Sequence, residues 1–204
     1  MSDLLLATRN RGKAREIGAF LGAAGAGLRL LTLDDLGIAA DVAETGGTFA
    51  ENARIKAEHY SRLCGLATLG DDSGLEVRAL GGRPGVRSAR YAGVGAGDGE
   101  RIARLLSEMA DAADRRARFV SAVCLARAGA VLASFIGTAE GEILRAGRGA
   151  HGFGYDPVFL YPPLGRTFAE LALEEKNRVS HRARALAQVR EFIRQGGLEE
   201  RHPV

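Results

Sequence analysis

Short apolar runs that stop abruptly at polar motifs, with helical periodicity between them, constrain this chain more than any other feature. Leu4-Leu5-Leu6-Ala7 reads as a buried strand. Thr8-Arg9-Asn10 breaks it, and a helical pattern follows through Ile17, Phe20 and Leu21. Residues 28–33 read as a second strand. Residues 48–63 read as an amphipathic helix, with Phe49, Ala53, Ile55 and Tyr60 among its apolar positions. Residues 66–70 form a short strand that runs directly into two aspartates. Residues 81–99, glycine-rich and holding Pro84, read as a long loop, and 100–109 as a helix. Residues 117–126 and 130–138 read as the arms of a hairpin turned at Ala128-Gly129. Residues 146–167 read as irregular, and 178–195 as a last helix stopped by Gly196-Gly197. Early strand–helix alternation followed by a hairpin predicts an α/β fold with a mixed sheet.

The length of 204 residues predicts one domain, or two joined lobes, able to bury its own core. With 46% hydrophobic and 26% charged residues, disorder is excluded as a class. No run of 18 apolar residues occurs, which predicts no membrane-spanning helix. The opening MSDLLLATRN holds too short an apolar core for a secretory signal. Cys64 and Cys124 match no metal spacing and no disulfide framework, so a reducing cytoplasm is expected. The net charge of +3 permits acidic partners. No basic run reaches five residues and no aromatics interleave with basic residues, so nucleic acid is not the expected partner. Only three lysines occur, Lys13, Lys56 and Lys176, among many arginines, which marks each of them as a residue to watch.

Five motifs carry candidate chemistry. Thr8-Arg9-Asn10-Arg11-Gly12-Lys13 lies between a strand and a helix, where Asn10 can cap and free N–H groups form an anion site. It lacks the upstream glycine and following Ser/Thr of a Walker A loop; a capped helix with solvated cations is the plainer alternative. Gly70-Asp71-Asp72-Ser73-Gly74 sets two carboxylates on opposite faces of a strand end, so they should differ in role. One suits Mg²⁺ and a water proton; an Asp-rich turn is the alternative. Glu44 precedes a helix start and is a candidate second carboxylate at a metal, a cap with a solvated Glu being the plainer alternative; Lys56 falls one turn after Asn52, facing the same cleft or, as the alternative, the surface. His151-Gly152-Phe153-Gly154-Tyr155-Asp156-Pro157 lets a ring and backbone approach a flat ligand. The G-x-G-x-x-G at Gly147, Gly149 and Gly152 is no dinucleotide fingerprint, because no helix follows. Lys176 to Arg182 places Lys176, His181 and Arg182 near a helix start; mixed surface charge is the alternative. No H-x-x-x-H pair occurs, which speaks against zinc.

Taken together, ATRNRGKAREI at 7–17, ETGGTFAENARIKA at 44–57, GDDSGLEVRALGGRPGVRSARYAG at 70–93, GFGYDPVF at 152–159 and EEKNRVSHRARAL at 174–186 resemble the Ham1/RdgB family, the inosine/xanthosine triphosphate pyrophosphatases. The runs stand in the family's order and span nearly the whole chain. The resemblance implies an α/β fold with an elongated mixed sheet flanked by helices. It implies two lobes of a single domain over 1–204, an active-site cleft between the lobes, a homodimer and a need for Mg²⁺. It implies hydrolysis of ITP, dITP and XTP to the monophosphate and pyrophosphate, which cleanses the nucleotide pool. Carried over by position, Thr8, Arg9, Asn10, Arg11, Gly12 and Lys13 cradle the triphosphate. Asp72 accepts the proton of the attacking water and binds Mg²⁺ with Glu44, and Ser73 contacts substrate. Phe153, Gly154, Tyr155 and Asp156, with Lys176, His181 and Arg182, hold the base. Gly70 stands where the family more often has alanine, and His151 where it has glycine.

These residue types suit that substrate. Hypoxanthine and xanthine present a keto oxygen at position 6 and an N–H at position 1. His181 and Arg182 can donate to the oxygen, and Asp156 can accept from the N–H. Adenine reverses both, and each buried group left unpaired costs about 1–3 kcal/mol. Two rivals differ in class: a pyrophosphatase for other nucleotides, which should lack the GFGYDP and SHR runs, and a non-catalytic nucleotide sensor, which has no use for the Asp71-Asp72 pair.

Overall fold

The computed structural model of the chain describes residues 2–22 and 27–198. Among the described residues, seven strands and five α-helices follow in the order β1 (Ser2–Ala7), α1 (Arg11–Gly22), β2 (Leu28–Thr32), α2 (Phe49–Cys64), β3 (Ala67–Val77), α3 (Asp98–Glu108), β4 (Arg116–Arg127), β5 (Ala130–Ile143), β6 (Phe159–Tyr161), β7 (Arg166–Thr167), α4 (Leu173–Val179) and α5 (His181–Arg194). The strands form one sheet in the order β2-β1-β3-β4-β5-β6-β7. β1 runs parallel to β2 and β3, and β6 is antiparallel to β5 and β7, so the sheet is mixed as the sequence predicts.

The chain divides into two compact units. One comprises Met1–Asp72, Ala122–Ile136 and Arg184–Val204; the other comprises Ser73–Ser121 and Gly137–Ala183. In the first, the alternation of β1 sorts its side chains onto two faces. Leu4 and Leu6 pack with Ile17 and Leu21 of α1 and with Leu186 and Val189 of α5. Leu5 and Ala7 pack with Leu33 and with Tyr60 of α2 on the other face. The second unit has its own core, in which Leu75, Leu105, Phe119, Tyr155, Phe159 and Phe168 are buried together.

Several boundaries differ from the sequence reading, among them β5, which runs past residue 138 to Ile143, and residues 146–167, which hold β6 and β7. β3 continues to Val77 instead of ending at residue 70, because Leu75 and Val77 alternate into the second core. The loop at 81–99 contains a 3₁₀ segment, Gly85–Arg90, and α3 begins at Asp98. The last helix is two helices. Ser180 adopts an extended backbone, and its hydroxyl oxygen accepts from the N–H of Ala183 at 3.2 Å, capping α5 after α4 has ended. Among the described residues no helix is long and apolar enough to cross a membrane. Cys64 and Cys124 are both free thiols.

Candidate active site

In the first unit, register brings two motifs together. Ala7, the last residue of β1, pairs with Gly70 of β3. The residues that follow each, Thr8 to Lys13 and Asp71-Asp72, therefore emerge beside one another where ligands collect in parallel α/β sheets. Asn10 caps α1, its side-chain oxygen accepting from the Lys13 N–H at 3.0 Å, and the Thr8 hydroxyl accepts from the Asn10 N–H at 3.2 Å. Gly70 permits close packing here. A Cβ at this position would lie 2.2 Å from the Ala53 carbonyl oxygen, so α2 lies directly against β3.

Asp71 and Asp72 do point to different partners. Lys13 Nζ lies 2.8 Å from Asp71 and 3.9 Å from Asp72. Lys56 Nζ lies 3.6 Å from Asp72 Oδ1 and 3.4 Å from Glu44 Oε1. Asn52, one turn before Lys56 on the same helix face, donates to Asp72 Oδ2 at 3.1 Å and accepts from the Gly46 N–H at 2.8 Å. Asn52 thus ties the segment carrying Glu44 to the catalytic candidate. It belongs to the ETGGTFAENARIKA run, and its i, i+4 spacing to Lys56 was the available signal. Asp72 is 6% exposed. Burial raises its pKa above the ordinary carboxylate value; Lys56 and Lys13 oppose that shift, and the Glu44 and Asp71 carboxylates add to it.

Arg9, expected in the phosphate cradle, directs its guanidinium toward residues 38–40. Its Nη2 donates to the carbonyls of Ile38, Ala39 and Ala40 at 2.7, 2.9 and 3.1 Å. The guanidinium therefore clamps the segment leading to Glu44. Arg11 and Gly12 form the first turn of α1, Arg11 exposed and Gly12 half-buried.

The second unit gathers the remaining predicted residues. Asp156, Lys176, His181 and Arg182 are all buried. Lys176 Nζ and Asp156 Oδ2 form an ion pair, and the same oxygen accepts from the Phe153 N–H at 2.9 Å. Lys176 Nζ lies 5.0 Å from the Phe153 ring centroid and the Arg182 guanidinium carbon 5.6 Å from it. Arg182 also donates to Ser73 Oγ at 2.7 Å. The His181 ring stacks on Phe119, with centroids 4.7 Å apart and planes 12° from parallel. Gly152 has φ +74°, and a Cβ there would fall 2.0 Å from Asp156 Oδ2, so only glycine lets the loop fold over that carboxylate. Tyr155 contributes backbone alone: its ring is in the core and its hydroxyl donates to the Ser88 carbonyl at 3.0 Å. Burial drives its pKa far upward, so it stays a neutral donor. His151 lies exposed, its N–H donating to the Ala169 carbonyl at 3.0 Å.

Two sets of groups result: carboxylates interleaved with ammonium groups after β1 and within β3, and a donor-rich aromatic set around Phe153. Residues 4–192 match the model of the Ham1 family. The chain belongs to the Ham1 family. It is 50% identical over 190 residues to the dITP/XTP pyrophosphatase of Syntrophobacter fumaroxidans, covering 93% of this chain and 81% of that relative. It is 50% identical over 193 residues to the dITP/XTP pyrophosphatase of Geobacillus kaustophilus, covering 94% of each. Among solved structures, the Ham1 protein of Coxiella burnetii superposes with a TM-score of 0.87 at 41% identity, over 96% of this chain and all of that one. The Staphylococcus aureus Ham1 protein gives 0.85 at 36% identity, over 96% and 100%. The seven-stranded mixed sheet flanked by helices is thus a Ham1 fold.

Proposed function

We propose that this chain hydrolyses deaminated purine nucleoside triphosphates, ITP, dITP and XTP, to the monophosphate and pyrophosphate, and so cleanses the nucleotide pool. The observation that carries the reading is the buried set around Phe153. It combines an ionic acceptor, Asp156, with the donors Lys176, His181 and Arg182. A 6-keto purine with a protonated N1 satisfies such a set, whereas adenine leaves donors facing donors. Hydrogen-bonding sites of this type reject the wrong base by about 10⁴–10⁵-fold. The names of the S. fumaroxidans and G. kaustophilus relatives support the same substrate class.

The carboxylate–lysine set suits the phosphates. Glu44 Oε1 and Asp72 Oδ1 lie 3.4 and 3.6 Å from the same ammonium group, Lys56 Nζ, which places both carboxylates beside one cation. Among the described residues no three His, Cys, Asp or Glu side chains converge as a metal site. Magnesium fits this sparse donor set, since it takes one or two carboxylates and draws further oxygens from water and phosphate. Glu44 and Asp72 would hold it, and it would supply positive charge against the triphosphate oxygens. Asp72 accepts the proton of the water that attacks the α-phosphorus. Lys13 and the first N–H groups of α1 bind phosphate oxygens, with Thr8, Asn10, Arg11 and Gly12 shaping that turn and Arg9 fixing the segment beside it. Ser73 contacts substrate from the start of the second unit. The same reading takes residues 1–204 as one two-lobed domain of a cytoplasmic homodimer, without nucleic-acid or membrane partners.

The deciding assay offers purified protein ITP, XTP, dITP, ATP and CTP with Mg²⁺ and measures pyrophosphate. Rapid release from the first three and little from ATP and CTP is expected. Equal turnover of ATP and ITP would overturn the base-selection reading.

A further inference from the structure

We propose that Asp98 is a positioning residue for base selection, holding the Phe153–Asp156 loop by its backbone. The inference rests on the substrate reading above and adds a residue which that reading does not use. The Gly154 N–H donates to Asp98 Oδ2 at 2.7 Å, across 56 positions of sequence. The other carboxylate oxygen takes Arg101 Nη2, and Arg101 Nη1 donates to the Ala89 carbonyl at 2.6 Å. One residue further along the loop, the Tyr155 hydroxyl donates to the Ser88 carbonyl at 3.0 Å. Ser88 is itself fixed, its hydroxyl oxygen accepting from the Leu75 N–H at 2.9 Å. Two successive loop residues are therefore latched to the 85–101 segment, one through an ionic acceptor and one through a buried phenol.

The loop needs such a latch. Gly152 and Gly154 flank Phe153 with φ of +74° and +64°, so the peptides on both sides of the ring are conformationally permissive. The Phe153 ring and the Asp156 carboxylate, which face the base together with Lys176, His181 and Arg182, both hang on that backbone. Discrimination by hydrogen bonds requires them to be held within about 0.5 Å. Asp98 is the first residue of α3, where the helix N-terminus favours a carboxylate, and Arg101 one turn on keeps it aimed. With Asp98 gone, Tyr155 still anchors the loop, so the protein folds while the Gly154 peptide is free to turn. A loosened loop weakens the cognate base and relaxes the penalty on adenine, whereas loss of a mere helix start would affect all substrates alike.

The test compares wild type, Asp98→Ala and Asp98→Asn as full chains. kcat and KM are measured for ITP and ATP, inosine monophosphate affinity by calorimetry, and thermal midpoints alongside. In Asp98→Ala the ITP-to-ATP ratio of kcat/KM is expected to fall about tenfold, equivalent to about 1.4 kcal/mol, chiefly through a higher KM for ITP. Inosine monophosphate should bind about tenfold more weakly. Asp98→Asn keeps a carbonyl oxygen for the Gly154 N–H and should retain most of the selectivity. An unchanged ITP-to-ATP ratio in Asp98→Ala would overturn the latch. A wild-type protein that does not prefer ITP would overturn the substrate reading instead. The latch is then decided by inosine monophosphate: weaker binding to Asp98→Ala upholds it, and equal or absent binding overturns it.

Discussion

Asp72 is pulled in two directions. Burial and two neighbouring carboxylates favour its protonated form, while Lys56 and Lys13 favour the ionised form that a proton acceptor needs. The first group prevails, so the folded pKa lies above the ordinary aspartate value of about 3.9. Below about that pH both folded and unfolded chains hold the proton, and Asp72 has no effect on stability. As pH rises through it, the unfolded chain releases its proton first, and the fold loses stability until the folded pKa is passed. Asp72→Asn should therefore unfold at higher urea than wild type at pH 7 with EDTA present. The gain should vanish near pH 3.5. A lower midpoint for the variant at pH 7 would contradict this sign. The same substitution should cut pyrophosphate release from ITP by at least about 10²–10⁴-fold, the usual contribution of a general base. Lys13→Ala, by contrast, should weaken triphosphates far more than inosine, because Lys13 belongs to the Asp71-Asp72 set and not to the Phe153 set.

At the scale of elements, the start of α2 does the positioning. Thr48 Oγ1 accepts from the Glu51 N–H at 3.2 Å, and Glu51 Oε2 accepts from the N–H groups of Thr48 and Gly47 at 3.0 and 2.7 Å. This capping box fixes where Asn52 and Lys56 project toward Asp72. Thr48→Ala should cost about 1 kcal/mol in urea unfolding, and it should raise the magnesium concentration needed for half-maximal activity; an unchanged requirement would detach the cap from the site. The helix carrying that cap was legible in the sequence, as were β1, α1 and the β4–β5 hairpin, because each rests on local spacing. The pairing of Ala7 with Gly70 was not, since register is set by long-range packing. For the same reason the Arg9 clamp on residues 38–40 and the Asp98 contact to Gly154 escaped the sequence reading. The break at Ser180 escaped it too: a helical period persists through 178–186, and only the capping geometry ends one helix and starts the next.

Across the whole molecule, each compact unit pairs one polar set with its own apolar core: Asp71, Asp72, Lys13 and Lys56 in the first unit, Phe153, Asp156, Lys176 and Arg182 in the second. A ligand that engages one set stabilises the native segments around it by RT ln(1 + [L]/Kd), about 2.7 kcal/mol at a hundredfold excess over Kd. Fragments of the substrate should therefore protect different parts of the chain. Pyrophosphate with Mg²⁺ should slow amide exchange in β1, the first turns of α1 and α2, and the start of β3. Inosine should slow it in residues 152–159, α4 and the first turn of α5. Hydrogen-exchange mass spectrometry resolves these segments directly. If inosine alone protected 7–13 and 67–72 as strongly as 152–159, base and phosphate recognition would not be divided between these residues, and the specificity assigned to the Phe153 set would have to be shared with Asp72 and its lysines.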